Sequence, residues 1–257
     1  MIINNNISAI NTRNQLFVTN TAAGKSMEKL SSGKRINRAA DDAAGLSISE
    51  KMRAQIRGLQ QAARNAQDGI SLIQTAEGAL DEVSNMLVRL KELAVQKANG
   101  TYNEDDIENL ELEMDSLGDE IDNIFTSTKF NGFTVLTTSA NIVISDDGST
   151  SLTIEKTTTT GIVGLSSASS VGKIEEAIKN VNKARATYGA KQNRLESTVR
   201  NLKTTAENLQ AAESRIRDTD MAAEMSNFTK YSILIQAGTA MLAQANMAPQ
   251  NVLSLLR

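Results

Sequence analysis

Residues 48–94 read ISEKMRAQIRGLQQAARNAQDGISLIQTAEGALDEVSNMLVRLKELA. Apolar side chains recur at Ile48, Met52, Ile56, Leu59, Ala63, Ala66, Ile70, Ile73, Ala76, Leu80, Val83, Leu87, Leu90 and Ala94, always three or four residues apart. A mean step of about 3.5 is the period of a helix that supercoils against a partner. The spacing predicts a single helix roughly 70–75 Å long at about 1.5 Å per residue. Asn99-Gly100 stops it. The predicted fold is therefore mainly α: a long antiparallel helical coiled-coil or bundle rod, with paired N- and C-terminal helices.

Outward from this stretch the helical period recurs twice. From 104 to 125 the stripe is Ile107, Leu110, Met114, Leu117, Ile121 and Ile124, with Asn103 as the expected N-cap and Glu104, Asp105 and Asp106 suited to the helix dipole. From 172 to 217 it is Ile174, Ile178, Val181, Tyr188, Leu195, Val199, Leu202, Ala206, Leu209 and Ile216, with Arg185 and Gln192 as polar seam residues. Between these helices the character changes. Phe130-Asn131-Gly132-Phe133 signals a turn, and Val135-Leu136, Ile142-Val143-Ile144 and Leu152-Thr153-Ile154 read as a small β-hairpin or meander. Thr157 to Gly172, rich in Ser, Thr and Gly, reads as an exposed loop.

Both ends are amphipathic. Ile3, Ile7, Ile10 and Phe17 share one stripe near the start, with Leu16, Ala23, Met27 and Leu30 beside it. After Asp218-Thr219-Asp220 the chain carries Met221, Met225, Phe228, Ile233, Leu234, Ile235, Met241, Leu242 and Met247, an expected break at Pro249, then Val252, Leu253, Leu255 and Leu256. The link 31–45 reads as irregular, and Asp41, Asp42, Asp218 and Asp220 read as helix caps. A rod has little interior, so apolar residues on several faces of the end helices imply an association surface. Repeated contacts that do not close on themselves give helical polymers.

Composition excludes most chemistry. Among 257 residues there is no His, Cys or Trp, one Pro, and aromatics make up 3%. Thiolate nucleophiles, Ser-His-Asp triads and zinc sites of the usual kinds are excluded, as are disulfides. Ala23-Gly24-Lys25-Ser26 ends like a phosphate loop, but Thr19 stands where Gly is required. No enzyme and no cofactor are expected. Charge is uneven: +6 over 1–64, −13 over 65–147 and +4 over 148–257. The acidic middle is expected to lie beside a basic helix, and nucleic acid is a poor partner. No stretch reaches the roughly 18 apolar residues of a membrane span. No signal peptide is visible, so any export is expected to use a route that removes none.

Long runs of the chain resemble bacterial flagellin. They are Met1-Ile2-Ile3-Asn4-Asn5-Asn6-Ile7-Ser8-Ala9, Leu30-Ser31-Ser32-Gly33-Lys34-Arg35-Ile36-Asn37, Ala39-Ala40-Asp41-Asp42-Ala43-Ala44-Gly45-Leu46-Ser47-Ile48 and Leu93-Ala94-Val95-Gln96. The C-terminal counterparts are Ser214-Arg215-Ile216-Arg217-Asp218, Leu242-Ala243-Gln244-Ala245-Asn246 and Pro249-Gln250-Asn251-Val252-Leu253-Ser254-Leu255-Leu256. The likeness covers about 1–137 and 173–257. The roughly 35 residues between are too few for the extra outer domains many flagellins carry.

The resemblance implies a subunit that assembles itself into the extracellular flagellar filament used for motility. It implies an inner domain of 1–45 plus 218–257 lining the filament channel, and a helical domain of 46–217 with the β region and Ser/Thr-rich loop at about 131–172. Residues implied in self-assembly are Ile3, Ile7, Ile10, Phe17, Leu30, Met225, Phe228, Ile235, Leu242, Val252, Leu253 and Leu256. Arg38, Asp41, Asp42 and Gly45 fall in the link between domains. Implied partners are further copies of the chain, an export chaperone of the flagellar type III apparatus, the filament cap, hook-associated junction proteins and a host Toll-like receptor. The receptor-facing positions would be Arg89, Glu92, Leu93 and Glu113. Leu93 lies just off the helical stripe, so partial exposure is expected. Arg89 and Lys91 are expected to supply cations to the acidic helix. Candidate O-glycosylation sites are Ser149, Ser151, Thr157, Thr158, Thr159, Thr160, Ser166 and Ser167. The alternative reading is a hook–filament junction protein or a secreted coiled-coil adaptor.

Overall fold

The computed structural model describes residues 5–157 and 161–255. In chain order these form α1 (Ile7–Ser32), α2 (Ala43–Lys97), α3 (Glu104–Ser127), β1 (Lys129–Phe130), β2 (Phe133–Thr134), β3 (Ala140–Val143), β4 (Ser151–Ile154), α4 (Val171–Arg217) and α5 (Met221–Leu255). Two compact units result: Met1–Ala54 with Leu209–Arg257, and Gln55–Asn208.

The unit Gln55–Asn208 holds the larger core. The predicted stripe of α2 is buried there through Ile73, Ala76, Leu80, Val83 and Leu87. It meets Ile121 and Phe125 of α3, and Val181, Tyr188 and Leu195 of α4. A second cluster joins Leu90, Leu93 and Ala94 to Met114 of α3 and Ile174 of α4. Covering α2 from both α3 and α4 widens its buried arc beyond a two-helix seam, so Leu72 and Leu93 are buried although they lie off the stripe.

Local chemistry sets the element ends. Gly33, at φ 69°, closes α1 in the left-handed conformation and returns its N–H to the Lys29 carbonyl at 2.8 Å. Asn103 occupies the N-cap of α3, but its side chain makes no capping bond. Glu104, Asp105 and Asp106 in the first turn stabilise the positive end of the dipole instead. Asn131 and Gly132, both with positive φ, turn β1 into β2. β3 pairs antiparallel with β4, from Ala140↔Ile154 to Val143↔Ser151. In that turn Asp147 accepts from the Ser149 N–H at 3.0 Å and its hydroxyl at 2.7 Å. These bonds, with one from Ser145, hold the carboxyl down at about 2.

Three expectations need correction. The β region is two separate hairpins, and Val135-Leu136 is not a strand but a fully buried plug following β2. The segment after Thr160 is not an exposed loop. Ile162 and Leu165 enter the core, and α3 grips the backbone between and beyond them. Asp122 accepts from Gly164 N–H at 3.0 Å, and Asp115 from Ser167 N–H at 2.6 Å. Two apolar residues three apart are hidden by the surrounding Ser, Thr and Gly in any compositional reading. Finally, α5 is not interrupted at Pro249 but continues to Leu255.

Gly118 sits between those two aspartates on α3, and any Cβ there would overlap the Leu165 carbonyl oxygen. Gly118→Ala is therefore expected to lower stability by about 1–3 kcal/mol, despite the better helix propensity of Ala. An unchanged denaturation midpoint would refute this close approach.

Candidate assembly and recognition surfaces

α1 and α5 pack along one another in opposite directions, as contacts of Asn6 with Ala245 and of Leu16 at Gly238 require. The shielded positions of α1 include Thr12, Leu16, Thr19, Ala23, Ser26 and Leu30, and those of α5 include Glu224, Phe228, Tyr231, Ile235, Gly238, Leu242 and Ala245. Both sets step alternately by four and three, the heptad spacing of a two-stranded coiled coil. On α1 the most shielded part of this seam is small and partly polar: its buried residues are Thr19, Ala23 and Ser26. Thr19 satisfies its hydroxyl by donating to the Gln15 carbonyl at 2.9 Å.

The bulky apolar residues face elsewhere. Phe17 is 72% exposed, and Ile7, Ile10, Val18 and Met27 are exposed with it. Met221, Met225, Ile233, Leu234, Met241 and Met247 are exposed on α5. The self-assembly residues expected from the sequence thus divide in two. Ile7, Ile10, Phe17 and Met225 are open, whereas Leu30, Phe228, Ile235 and Leu242 are half-buried on the seam. Ile3 and Leu256 lie outside the described residues, as do the side chains of Val252 and Leu253.

The link between α1 and α2 is held to the end of α4 by backbone. Arg35 N–H donates to the Arg217 carbonyl at 2.7 Å, Thr219 N–H donates to that of Gly33 at 3.0 Å, and Lys34 bridges antiparallel to Asp218. The Arg35 guanidinium also reaches the Ile216 carbonyl. Arg217 pairs with Glu50 of α2 and, by that hydrogen bond first, holds its carboxyl below the ordinary value. Asp41 accepts from the backbone of Arg38 at 3.0 Å and Asn37 at 3.2 Å, which lowers its carboxyl likewise. Asp42 caps α2 by accepting from Gly45 N–H at 2.8 Å. Gly45 is required there because a Cβ would overlap Asp42 and press on Ile36. Arg38 pairs with Glu28 at 3.0 Å. Asp220 caps α5, accepting from Ala222 N–H at 2.9 Å. The Arg217–Glu50 pair was not legible in the sequence, because its members lie 167 residues apart.

In the other unit, Arg89 joins Glu113 at 2.9 Å and Glu92 at 3.3 Å, forming one half-exposed triad across α2 and α3. Both carboxylates raise the guanidinium further, Glu113 the more. Leu93 does not share this exposure. It is fully buried, under Met114 and Ile174, because α4 as well as α3 covers that side of α2. The acids of α3 do lie beside cations of α2, but not those expected throughout. Lys97 serves Glu111 at 2.6 Å, while Lys91 turns to Glu175 of α4 at 2.9 Å. Arg185 likewise reaches Asp81 at 2.9 Å from the rim of the core.

The hydroxyl candidates also separate. Ser149 and Ser151 are exposed, and Ser166 and Ser167 are half-buried. Thr157 is buried, its hydroxyl 2.9 Å from that of Tyr188, so no sugar can reach it there. Thr158, Thr159 and Thr160 lie outside the described residues. Among the described residues, no helix is long and apolar enough to cross a membrane, and no group of three carboxylates could hold a metal ion.

Comparison with known proteins divides the chain between its two helical halves. Residues 3–141 match the bacterial flagellin N-terminal helical region, and residues 171–256 match the bacterial flagellin C-terminal helical region. A flagellin of Halalkalibacterium halodurans is 52% identical, and a flagellar filament 31.3 kDa core protein of Treponema maltophilum is 49% identical, each over the whole of both chains. The crystal structure of Bacillus cereus flagellin is 34% identical with a TM-score of 0.49, covering 58% of this chain and 94% of that one.

Proposed function

Because the chain belongs to the bacterial flagellin family, whose members are structural filament subunits and not enzymes, we propose that it polymerises into the extracellular flagellar filament through the outward faces of α1 and α5. The observation that carries this reading is the set of bulky apolar residues that the α1–α5 seam leaves in solvent on both helices, Phe17, Val18, Ile233 and Leu234 among them. A large uncovered apolar surface marks an interaction site, and copies of the same helices are its natural cover. On this reading 1–45 with 218–257 line the filament channel, and 46–217 form the surrounding helical wall. Export through the flagellar type III apparatus, with a chaperone holding the C-terminal helix and growth beneath a cap, protects the same faces until assembly.

Negative-stain images of the concentrated protein, with and without filament seeds, test the central claim. Long filaments support it. Failure to extend seeds would favour a junction protein or a secreted adaptor.

The Arg89–Glu92–Glu113 triad is the proposed contact for a host Toll-like receptor, and it is shared with neighbouring subunits in the filament. Free monomer should then bind and cross-linked filament should not. Arg89→Ala is expected to weaken monomer binding roughly tenfold, the effect of losing one charged hydrogen bond. Equal binding by filament and monomer would reject this surface. If the native protein is O-glycosylated, the exposed Ser149 and Ser151 at the β3–β4 turn are the proposed sites. Peptide mapping that puts sugars mainly on α1 or α5 would contradict the layout.

A further inference from the structure

The chain has one proline, and it lies inside α5. Proline has no N–H and crowds the carbonyl four residues earlier, so a helix that continues through it leaves that carbonyl without its donor. For Pro249 the orphan is the carbonyl of Ala245. The side-chain amide of Asn6 donates to that same carbonyl at 2.7 Å. The other atom of the same amide, Oδ1, accepts from Ala9 N–H at 3.1 Å and so caps α1, of which Asn6 is the N-cap residue.

From this we infer that Asn6 is a positioning residue that replaces the hydrogen bond Pro249 removes, and so fixes the register of α1 against α5. Between Leu16 and Leu30 the α1 seam narrows to Thr19, Ala23 and Ser26, small side chains that do little to hold register in a coiled coil. The defect at Pro249 converts one carbonyl on α5 into an acceptor that cannot be satisfied within its own helix. The site is partly buried, and a shielded carbonyl left without a donor is costly, so the register that brings Asn6 opposite Ala245 is favoured over its neighbours. A slip of one heptad would leave both the carbonyl and the free amide donor unpaired. This goes beyond self-assembly as such but rests on it for its main reading, since register in each copy sets where the outward face points.

The test is a double-mutant cycle on the full chain with Asn6→Ser, Pro249→Ala and both together. Serine is about as good an N-cap as asparagine, so Asn6→Ser keeps the cap and removes the amide donor. Alanine at 249 restores the intrahelical N–H. Asn6→Ser alone is expected to raise the critical concentration for polymerisation roughly three- to tenfold. On the Pro249→Ala background the same change should cost under about 1.5-fold, because the carbonyl is already satisfied. A purely local capping role would give equal penalties in both backgrounds, and equal penalties, or none in either, would overturn the inference. Should the parent chain form no filament, the filament reading fails separately. The cycle is then read from thermal loss of helix, where a fall of about 2–4 °C on the proline background against none on the alanine background decides it.

Discussion

Removing residues 1–40, or residues 221–257, is expected to abolish polymerisation altogether while leaving a soluble, partly helical monomer. Each deletion takes away one of the two helices that carry the outward apolar faces, and it strips the other of its seam. Fully burying a side chain such as Phe17 or Ile233 contributes roughly 1.5–3 kcal/mol, and each copy leaves about a dozen of comparable size in solvent. The remaining terminal helix would be a lone amphipathic segment, marginal in water without a packing partner. The core of Gln55–Asn208 draws on neither α1 nor α5, so its helices should survive. Sedimentation and negative stain read the loss, and circular dichroism reads the residual helix. Filaments from either truncation would sink the assembly surface proposed above.

Leu93→Ala is expected to destabilise the Gln55–Asn208 unit by about 2–5 kcal/mol, the usual range for emptying a fully buried leucine site. The side chain is sealed between α2, α3 and α4 with Leu90, Met114 and Ile174, and it supports the backbone that presents Arg89 and Glu92. Receptor binding should therefore fall in this variant together with the denaturant midpoint. In Arg89→Ala, by contrast, binding should fall with stability little changed, since half-exposed ion pairs contribute little to folding. A Leu93→Ala protein with an unchanged midpoint would show that the leucine is not part of the core.

What the sequence made legible was carried by periodicity. The 3.5-residue step marks α2, α3 and α4 to within a few residues of their ends, and Asn131-Gly132 marks a turn, because glycine and asparagine tolerate positive φ. What it hid came from contacts between distant segments. Leu93 lies just off the helical stripe, which predicts partial exposure, and cover from both α3 and α4 buries it. Ile162 and Leu165 are masked by polar neighbours, and the backbone beside them is held by Asp122 and Asp115 of α3, 42 and 52 residues away in sequence, and by Lys97 of α2. At the N-terminus the period was read from the large residues Ile7, Ile10 and Phe17, whereas the true seam runs through Thr12, Leu16, Thr19, Ala23, Ser26 and Leu30. Bulk is a guide to the inside of a protein only when that protein's interior is complete within one chain. Two polar sites were also out of reach: Thr157 under Tyr188, and the Arg217–Glu50 pair, since neither sits in a local pattern.

The outward placement of Phe17, Val18, Ile233, Leu234 and the methionines of α5 makes growth a matter of heat as well as contact. Their release from water is driven mainly by solvent entropy near room temperature and lowers the heat capacity of the assembled state. Such a polymer draws its cohesion from disorder gained by the solvent. Warming over the range in which the helices stay folded should strengthen it, and chilling should loosen it. A calorimeter following elongation would see a heat effect that becomes steadily more exothermic as the temperature rises, a signature that bonding through ion pairs alone would not give.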